Sequence, residues 1–288
     1  MREAIKMWTS TRMIMLTAVS AAVYAAVLIA FKFVQIVPGF ASLRIGNMFP
    51  PMFALMFGPA GAWGAAIGNA IADVFGGTLT LGSFFGFFGN FFLGYTYYKL
   101  WGNLGPLSSG DEPFMSSLKQ LGEFWVITLV AASVLAAFIS WGLTVLGFFP
   151  FVVIAVTALL MHFIIPSILT PPVMYLVYPR VKEIGLLYPE VMDPDDLRSV
   201  APGRQQTAAI GILAVALVWE FLGIGISVSQ GGRIPYIQGS VAEIGTSQIS
   251  IIFGAVMLVL LLGFFLMAGE RLPSMIGLDS GAADLADD

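Results

Sequence analysis

The sequence predicts an all-α, polytopic membrane helix bundle, with a six-helix unit followed by about two further C-terminal transmembrane helices. Three observations carry that expectation. Hydrophobic residues make up 58% of the 288 residues and charged residues only 10%, against about 45–50% and about 25% in soluble domains. The mean hydropathy is +0.90. The apolar residues fall into runs close to the roughly 20 residues a helix needs to cross a bilayer. Such a composition excludes a soluble globular enzyme, a nucleic-acid binder and a disordered chain.

The elements follow in order. After MREAIKMWTSTR an apolar run reads as a first helix over about 12–34. It is long enough to span, and it lacks the short apolar core and small-residue cleavage site of a signal peptide, so it is expected to be retained. Segments at about 48–58 and 60–75 are short and meet at Phe57-Gly58-Pro59-Ala60-Gly61. They read as a tight helical pair or one kinked, re-entrant element. Irregular backbone at membrane depth is tolerated only where protein or a cavity covers it, which makes this the first place to look for a site. Further helices are expected at about 81–100, 121–147, 151–178, 207–229 and 248–269. The organisation is then 1–180 as a membrane domain, 181–206 as a cytoplasmic linker, 207–270 as a terminal helix pair and 271–288 as an acidic tail. The linker expectation rests on Pro189, Asp193-Pro194-Asp195-Asp196 and Pro202-Gly203.

Orientation follows from Lys and Arg in short connections. With the N-terminus inside, the inner segments hold Arg2, Lys6, Arg12, Lys99, Lys119, Arg180, Lys182, Arg198, Arg204 and Arg271, and the outer ones hold Lys32, Arg44 and Arg233. Ten against three places both termini in the cytoplasm and the chain in the plasma membrane. This count requires the short pair to be two passes.

Thirteen Lys+Arg against seventeen Asp+Glu leave a net charge of −4, which points to no polyanion or nucleic-acid partner. There is no cysteine and one histidine, His162. Thiolate chemistry and a His-rich metal site are therefore excluded, and neither a metal nor a cofactor is expected. No Gly-rich loop precedes Lys-Ser or Lys-Thr, so any ATPase must be another subunit.

The candidate functional residues are few. Ala18, Ala22 and Ala26 recur at spacing four on the first helix, with Ala21 and Ala25 as a second row. Such a ridge suits docking of another helix, or packing within this chain. Gly-Asn pairs recur as Gly46-Asn47, Gly68-Asn69 and Gly89-Asn90. A membrane asparagine must satisfy its amide, either against another helix or against a polar ligand. Arg44 follows the Pro38-Gly39-Phe40 loop on the outer side. Asp73, at the end of the third helix, is a candidate partner for Arg44 or for a ligand amine. Arg44, Asn47, Asn69, Asp73 and Asn90 are thus the substrate-binding candidates. Glu220 lies mid-span in the seventh helix and would serve a proton-coupled carrier. Ser83 with His162 is a weak hydrolase signature that lacks a third group. Trp63 and Phe40 would suit a ring-containing ligand.

These residues together resemble a known family. Leu43-Arg44-Ile45-Gly46-Asn47-Met48-Phe49-Pro50-Pro51 leads into Phe57-Gly58-Pro59-Ala60-Gly61-Ala62-Trp63-Gly64-Ala65-Ala66-Ile67-Gly68-Asn69, then Ile71-Ala72-Asp73-Val74-Phe75-Gly76 and Phe85-Gly86-Phe87-Phe88-Gly89-Asn90. The pattern is similar to the substrate-binding S components of energy-coupling factor (ECF) transporters, in a QueT-like or general S-component branch, over about residues 10–180. The resemblance implies a six-helix subunit that captures a vitamin-like micronutrient from outside. It further implies docking, through Ala18, Ala22 and Ala26, on a transmembrane coupling protein that works with ATPase subunits. It implies no enzymatic activity in this chain. The alternatives are a stand-alone proton-coupled secondary transporter and, more weakly, an intramembrane enzyme. The terminal pair departs from the family pattern.

Overall fold

A computed structural model describes residues 1–31, 35–37, 41–42, 44–197, 200–232 and 248–277. Lys32, Phe40, Arg198, Arg233 and the tail after residue 277 lie outside the described residues.

Eight helices stand close to their expected places. A short α1 (Arg2–Lys6) precedes α2 (Thr11–Phe31), α3 (Phe49–Phe57), α4 (Pro59–Phe75), α5 (Gly82–Leu100), α6 (Leu118–Val145) and α7 (Phe151–Glu183). Then come α8 (Tyr188–Val191), α9 (Pro202–Ser229), α10 (Gln248–Met267) and α11 (Leu272–Met275). By length and composition, the helical runs Thr11–Phe31, Leu118–Val145, Phe151–Val191, Pro202–Ser229 and Gln248–Met275 are each able to cross a membrane. One addition to the helical expectation is a small antiparallel pair, Gln35–Val37 with Ala41–Ser42, in the connection after α2.

The helix ends have local causes. Ser117 Oγ accepts from Gln120 N to cap α6, as a serine at that position should. Gly58 separates α3 from α4 at φ 55°, ψ −124°, in the left-handed half of the map that glycine enters without a Cβ penalty. Pro59 then opens α4 at the one position where its missing N–H costs nothing. A Cβ on Gly61 would lie 2.3 Å from the Phe53 carbonyl oxygen, so the two helices press backbone to backbone at the break. At about 1.5 Å per residue α3 is only about 14 Å long, and eight of its nine residues are buried. It therefore sits inside protein, where a short membrane helix is tolerated.

Contacts fix an alternating bundle with two chemically distinct ends. At one end, Lys99 is fully buried and pairs with Glu3 at 2.8 Å and also with Glu270. Tyr98 Oη donates to Glu270 at 2.7 Å, and Tyr95 Oη donates to Glu3. Lys6 pairs with Asp196, and Lys182 with Glu112 at 2.6 Å. Glu123 accepts from the backbone N–H groups of Gly102 at 2.8 Å and Ser109 at 2.7 Å. The segments with the inner charges of the sequence thus converge at one end. Three buried charges are costly unless paired, and one lysine between two carboxylates supplies that pairing.

The opposite end is held differently. Gly82 packs against Leu143, Val152 N donates to Ser227 Oγ at 3.2 Å, and Trp141 Nε1 donates to the Ile251 carbonyl at 3.1 Å. Glycines carry the close crossings. A Cβ on Gly94 would lie 2.8 Å from Ala62 Cα, and one on Gly223 would meet the Phe151 ring at 2.7 Å.

The linker expected at 181–206 is shorter and less free than its composition suggests. α7 runs to Glu183 and α9 begins at Pro202. Between them Leu187, Tyr188 and Met192 are buried, and the Tyr188 ring meets Tyr98 edge-on at 5.0 Å. The apolar side chains in this polar stretch anchor it against the charged end.

Candidate functional site

The candidate site lies toward the end opposite the ion pairs, and α2 supplies its centre. Ala21, Tyr24, Ala25 and Leu28 share one buried face of α2, as the i, i+3, i+4, i+7 spacing requires. Glycines of α4 let this face approach. A Cβ on Gly68 would lie 2.8 Å from the Ala21 carbonyl and 2.9 Å from Tyr24 Cδ1. One on Gly46 would lie 3.0 Å from Leu28 Cδ2. The glycine of each Gly-Asn pair thus sits at a close crossing, and the asparagine beside it is carried into the interior.

Two of the asparagines meet at one hydroxyl. Tyr24 Oη lies 3.2 Å from Asn90 Oδ1 and 3.4 Å from Asn47 Oδ1. Asn47 Nδ2 donates to the Met161 carbonyl at 3.3 Å and Asn90 Nδ2 to the Gly86 carbonyl at 2.8 Å. These donor contacts orient both amides with their oxygens toward Tyr24. A hydroxyl has one proton, so it satisfies one of the two carbonyls at a time. Asn69 is adjacent. Its Nδ2 lies 3.2 Å from the Cβ position of Gly86 and 3.5 Å from Asp73 Oδ2. Asp73 also accepts from Thr78 Oγ1 at 3.2 Å.

Arg44 stands at the start of the 3₁₀ turn Ile45–Met48, and its carbonyl accepts from Asn47 N at 2.9 Å. Its half-buried guanidinium makes no hydrogen bond or ion pair with the described residues, and its charge acts on both Tyr24 and His162. His162 is buried, with Nδ1 2.9 Å from the Ala158 carbonyl and Nε2 unpartnered. Thr170 Oγ1 donates to the Met48 carbonyl at 2.8 Å, fixing α7 against this turn.

The structure therefore brings Arg44, Asn47, Asn69, Asp73 and Asn90 into one region, with Tyr24 and His162 among them. The sequence reading overlooked Tyr24. Its signal was a polar ring in register with the Ala21 and Ala25 row rather than the Ala18 row. Trp63 corrects an expectation, because its Nε1 donates to the Ala4 carbonyl at 2.8 Å and its ring packs on Trp8 and Phe91. That puts it on the charged half, away from the asparagines. Ser83 and His162 do not meet. Ser83 Oγ accepts from Thr80 N at 3.2 Å, a local turn contact.

The two alanine rows separate. Ala21 and Ala25 are buried against α4, whereas Ala18, Ala22 and Ala26 are all exposed. Ile14 and Val19 beside them are 40% and 55% exposed. Among the described residues, nothing covers this face of small side chains.

No curated protein and no solved structure matches the chain. A family model described as QueT transporter matches residues 14–179, more than half of the chain and close to the six-helix unit α2–α7. The chain belongs to the QueT transporter family, and is thus an integral membrane S component of the energy-coupling factor type and not an enzyme.

Proposed function

We propose that the chain captures a ring-containing, vitamin-like micronutrient at the Tyr24–Asn47–Asn90 cluster and delivers it through an ATP-driven importer. The observation that carries this reading is the single Tyr24 proton set between two carbonyl oxygens. One Oδ1 is always short of a donor, and a ligand N–H supplies it. Arg44, which has no hydrogen bond or ion pair among the described residues, adds a cation beside the cluster for a polar ring or carbonyl. Asn69 and Asp73 form the neighbouring wall. The queuosine precursor associated with the family is the first ligand to test, because a planar base offers both N–H donors and a carbonyl.

In this reading the charged end faces the cytoplasm of the plasma membrane, both termini lie there, and the capture site opens outward. Residues 1–180 act as the capture domain. The exposed Ala18, Ala22 and Ala26 face docks the transmembrane coupling protein, and separate ATPase subunits drive transport. The test is equilibrium binding of a queuosine precursor to purified protein. Arg44→Ala and Asn47→Ala should each weaken binding about tenfold or more, as loss of one charged or buried hydrogen bond implies. Unchanged affinity in both variants would place the ligand elsewhere.

One observation favours a second reading. Glu220 is fully buried on α9, and neither of its carboxyl oxygens has a partner among the described residues. A proton-coupled carrier would hold its proton at such a group. Uptake by liposomes that contain this chain alone, driven by a pH gradient and lost in Glu220→Gln, would select that mechanism.

A further inference from the structure

A cavity of about 470 Å³ lies at the charged end, within the usual range of small-molecule sites. Its walls come from the α5–α6 connection, the start of α6, the first turn of α9 and the segment after α10. Pro202, Gln205 and Arg271 lie beyond the family-matched residues. The six-helix unit alone therefore cannot form this cavity, and the terminal pair completes it.

The lining is cationic. Lys119 and Arg271 both face it, and no carboxylate lines it among the described residues. The nearby Glu123 is held by Gly102 and Ser109, and Glu270 by Lys99 and Tyr98. Arg271 Nε is buried and has no acceptor among the described residues. An arginine N–H left this way is costly, and a phosphate oxygen is a well-matched partner for its planar fork. The first turn of α9 opens on the same cavity at Pro202. Ala201 in front of it offers no side-chain acceptor, so the positive end of a 28-residue helix is left for an anion.

One lining residue asks for a donor. Asn103 is 5% exposed, and its Nδ2 donates to the carbonyls of Lys99 at 2.8 Å and Gly269 at 3.3 Å. Those two acceptors fix the amide orientation and leave Oδ1 without a donor. The complement is an anion that also carries a hydroxyl.

We propose that this cavity binds a phosphate group with a neighbouring hydroxyl, as found in a small phosphomonoester or in the glycerol headgroup of an anionic phospholipid. The terminal helix pair then adds a second ligand site, at the end opposite the capture site.

Two arms separate the sources, both on the full-length protein. In the first, glycerol 3-phosphate is titrated calorimetrically into protein in phosphatidylcholine nanodiscs. In the second, native mass spectrometry follows lipid retention from nanodiscs of equal parts phosphatidylcholine and phosphatidylglycerol. Arg271→Gln should weaken the bound species about tenfold, as expected for one charge-assisted contact. Gln206→Glu places a negative charge at an exposed position of the lining, where the fold is not at risk, and should weaken it as well. Saturable glycerol 3-phosphate binding lost in both variants assigns a soluble phosphate. Selective phosphatidylglycerol retention lost in both assigns the lipid headgroup. No binding in either arm, or binding equal in wild type and both variants, overturns the proposal.

Discussion

The hydroxyl of Tyr24 lies 3.2 Å from Asn90 Oδ1, on a helix 66 residues away in sequence, and reaches Asn47 Oδ1 at 3.4 Å. One hydroxyl thus stands where three elements of the bundle meet at the proposed capture site, its proton shared between two acceptors. Replacing Tyr24 with Phe keeps the ring and its packing but removes the proton. With both Oδ1 atoms then short of a donor, a ligand carrying two N–H groups should bind about tenfold more tightly, the value of one added buried hydrogen bond, while the circular dichroism spectrum stays helical. Binding measured by calorimetry on both proteins checks it, and an unchanged Kd would remove Tyr24 from the site.

The exposed alanine face makes a separate prediction. Ala22→Trp fills a surface that none of the described residues covers, so the isolated protein should bind ligand as the wild type does. Cellular uptake should be abolished because the coupling protein can no longer approach closely. Uptake that survives would show that docking uses another surface.

Lys99 is the keystone of the charged end. Lys99→Met removes the cation that Glu3 and Glu270 share, leaving Glu3 the Met1 ammonium at 3.0 Å, which should cost about 3–5 kcal/mol. Adding Glu3→Gln and Glu270→Gln to the same protein should recover part of that loss, since a neutral set avoids unpaired buried charge. Thermal unfolding in detergent reads both changes.

Acid should loosen the same network. Burial alone would raise the pKa of Glu3, but Lys99 and the Tyr95 hydroxyl outweigh it and hold the carboxyl at about 2, against an ordinary 4.5. A depressed carboxylate contributes stability that is complete above the unfolded pKa. It is lost as the pH falls toward the folded one. The unfolding midpoint should therefore drop between about pH 4.5 and pH 2, and Glu3→Gln should show a shallower drop across that window. Parallel profiles for the two proteins would contradict the assignment.

Much of the architecture was readable from hydropathy. Eight apolar runs became eight helices within a few residues, because lipid permits little else for a backbone that must bond to itself. Lys6, Lys99 and Lys182, counted together on one side by the Lys and Arg bias, are all paired at one end of the bundle. The asparagines were legible because an amide in a membrane helix needs a partner. Their meeting at Tyr24 was not, since it depends on which face of α2 turns inward. Trp63 misled for the same reason, as an aromatic in a chain of 24 phenylalanines carries no address until the helices pack. The anchoring of Tyr188 was hidden by the Pro- and Asp-rich composition around it. The inner cavity was invisible because its walls come from segments about 170 residues apart and close only when the terminal pair docks.

The most direct measurement is native mass spectrometry of the wild type and Asn47→Ala, each purified from its host membrane without added ligand. The wild type should carry a small molecule at unit stoichiometry that matches a ring-containing micronutrient, and Asn47→Ala, equally folded, should be empty. The same molecule retained at the same occupancy in both proteins would contradict capture at the Tyr24–Asn47–Asn90 cluster.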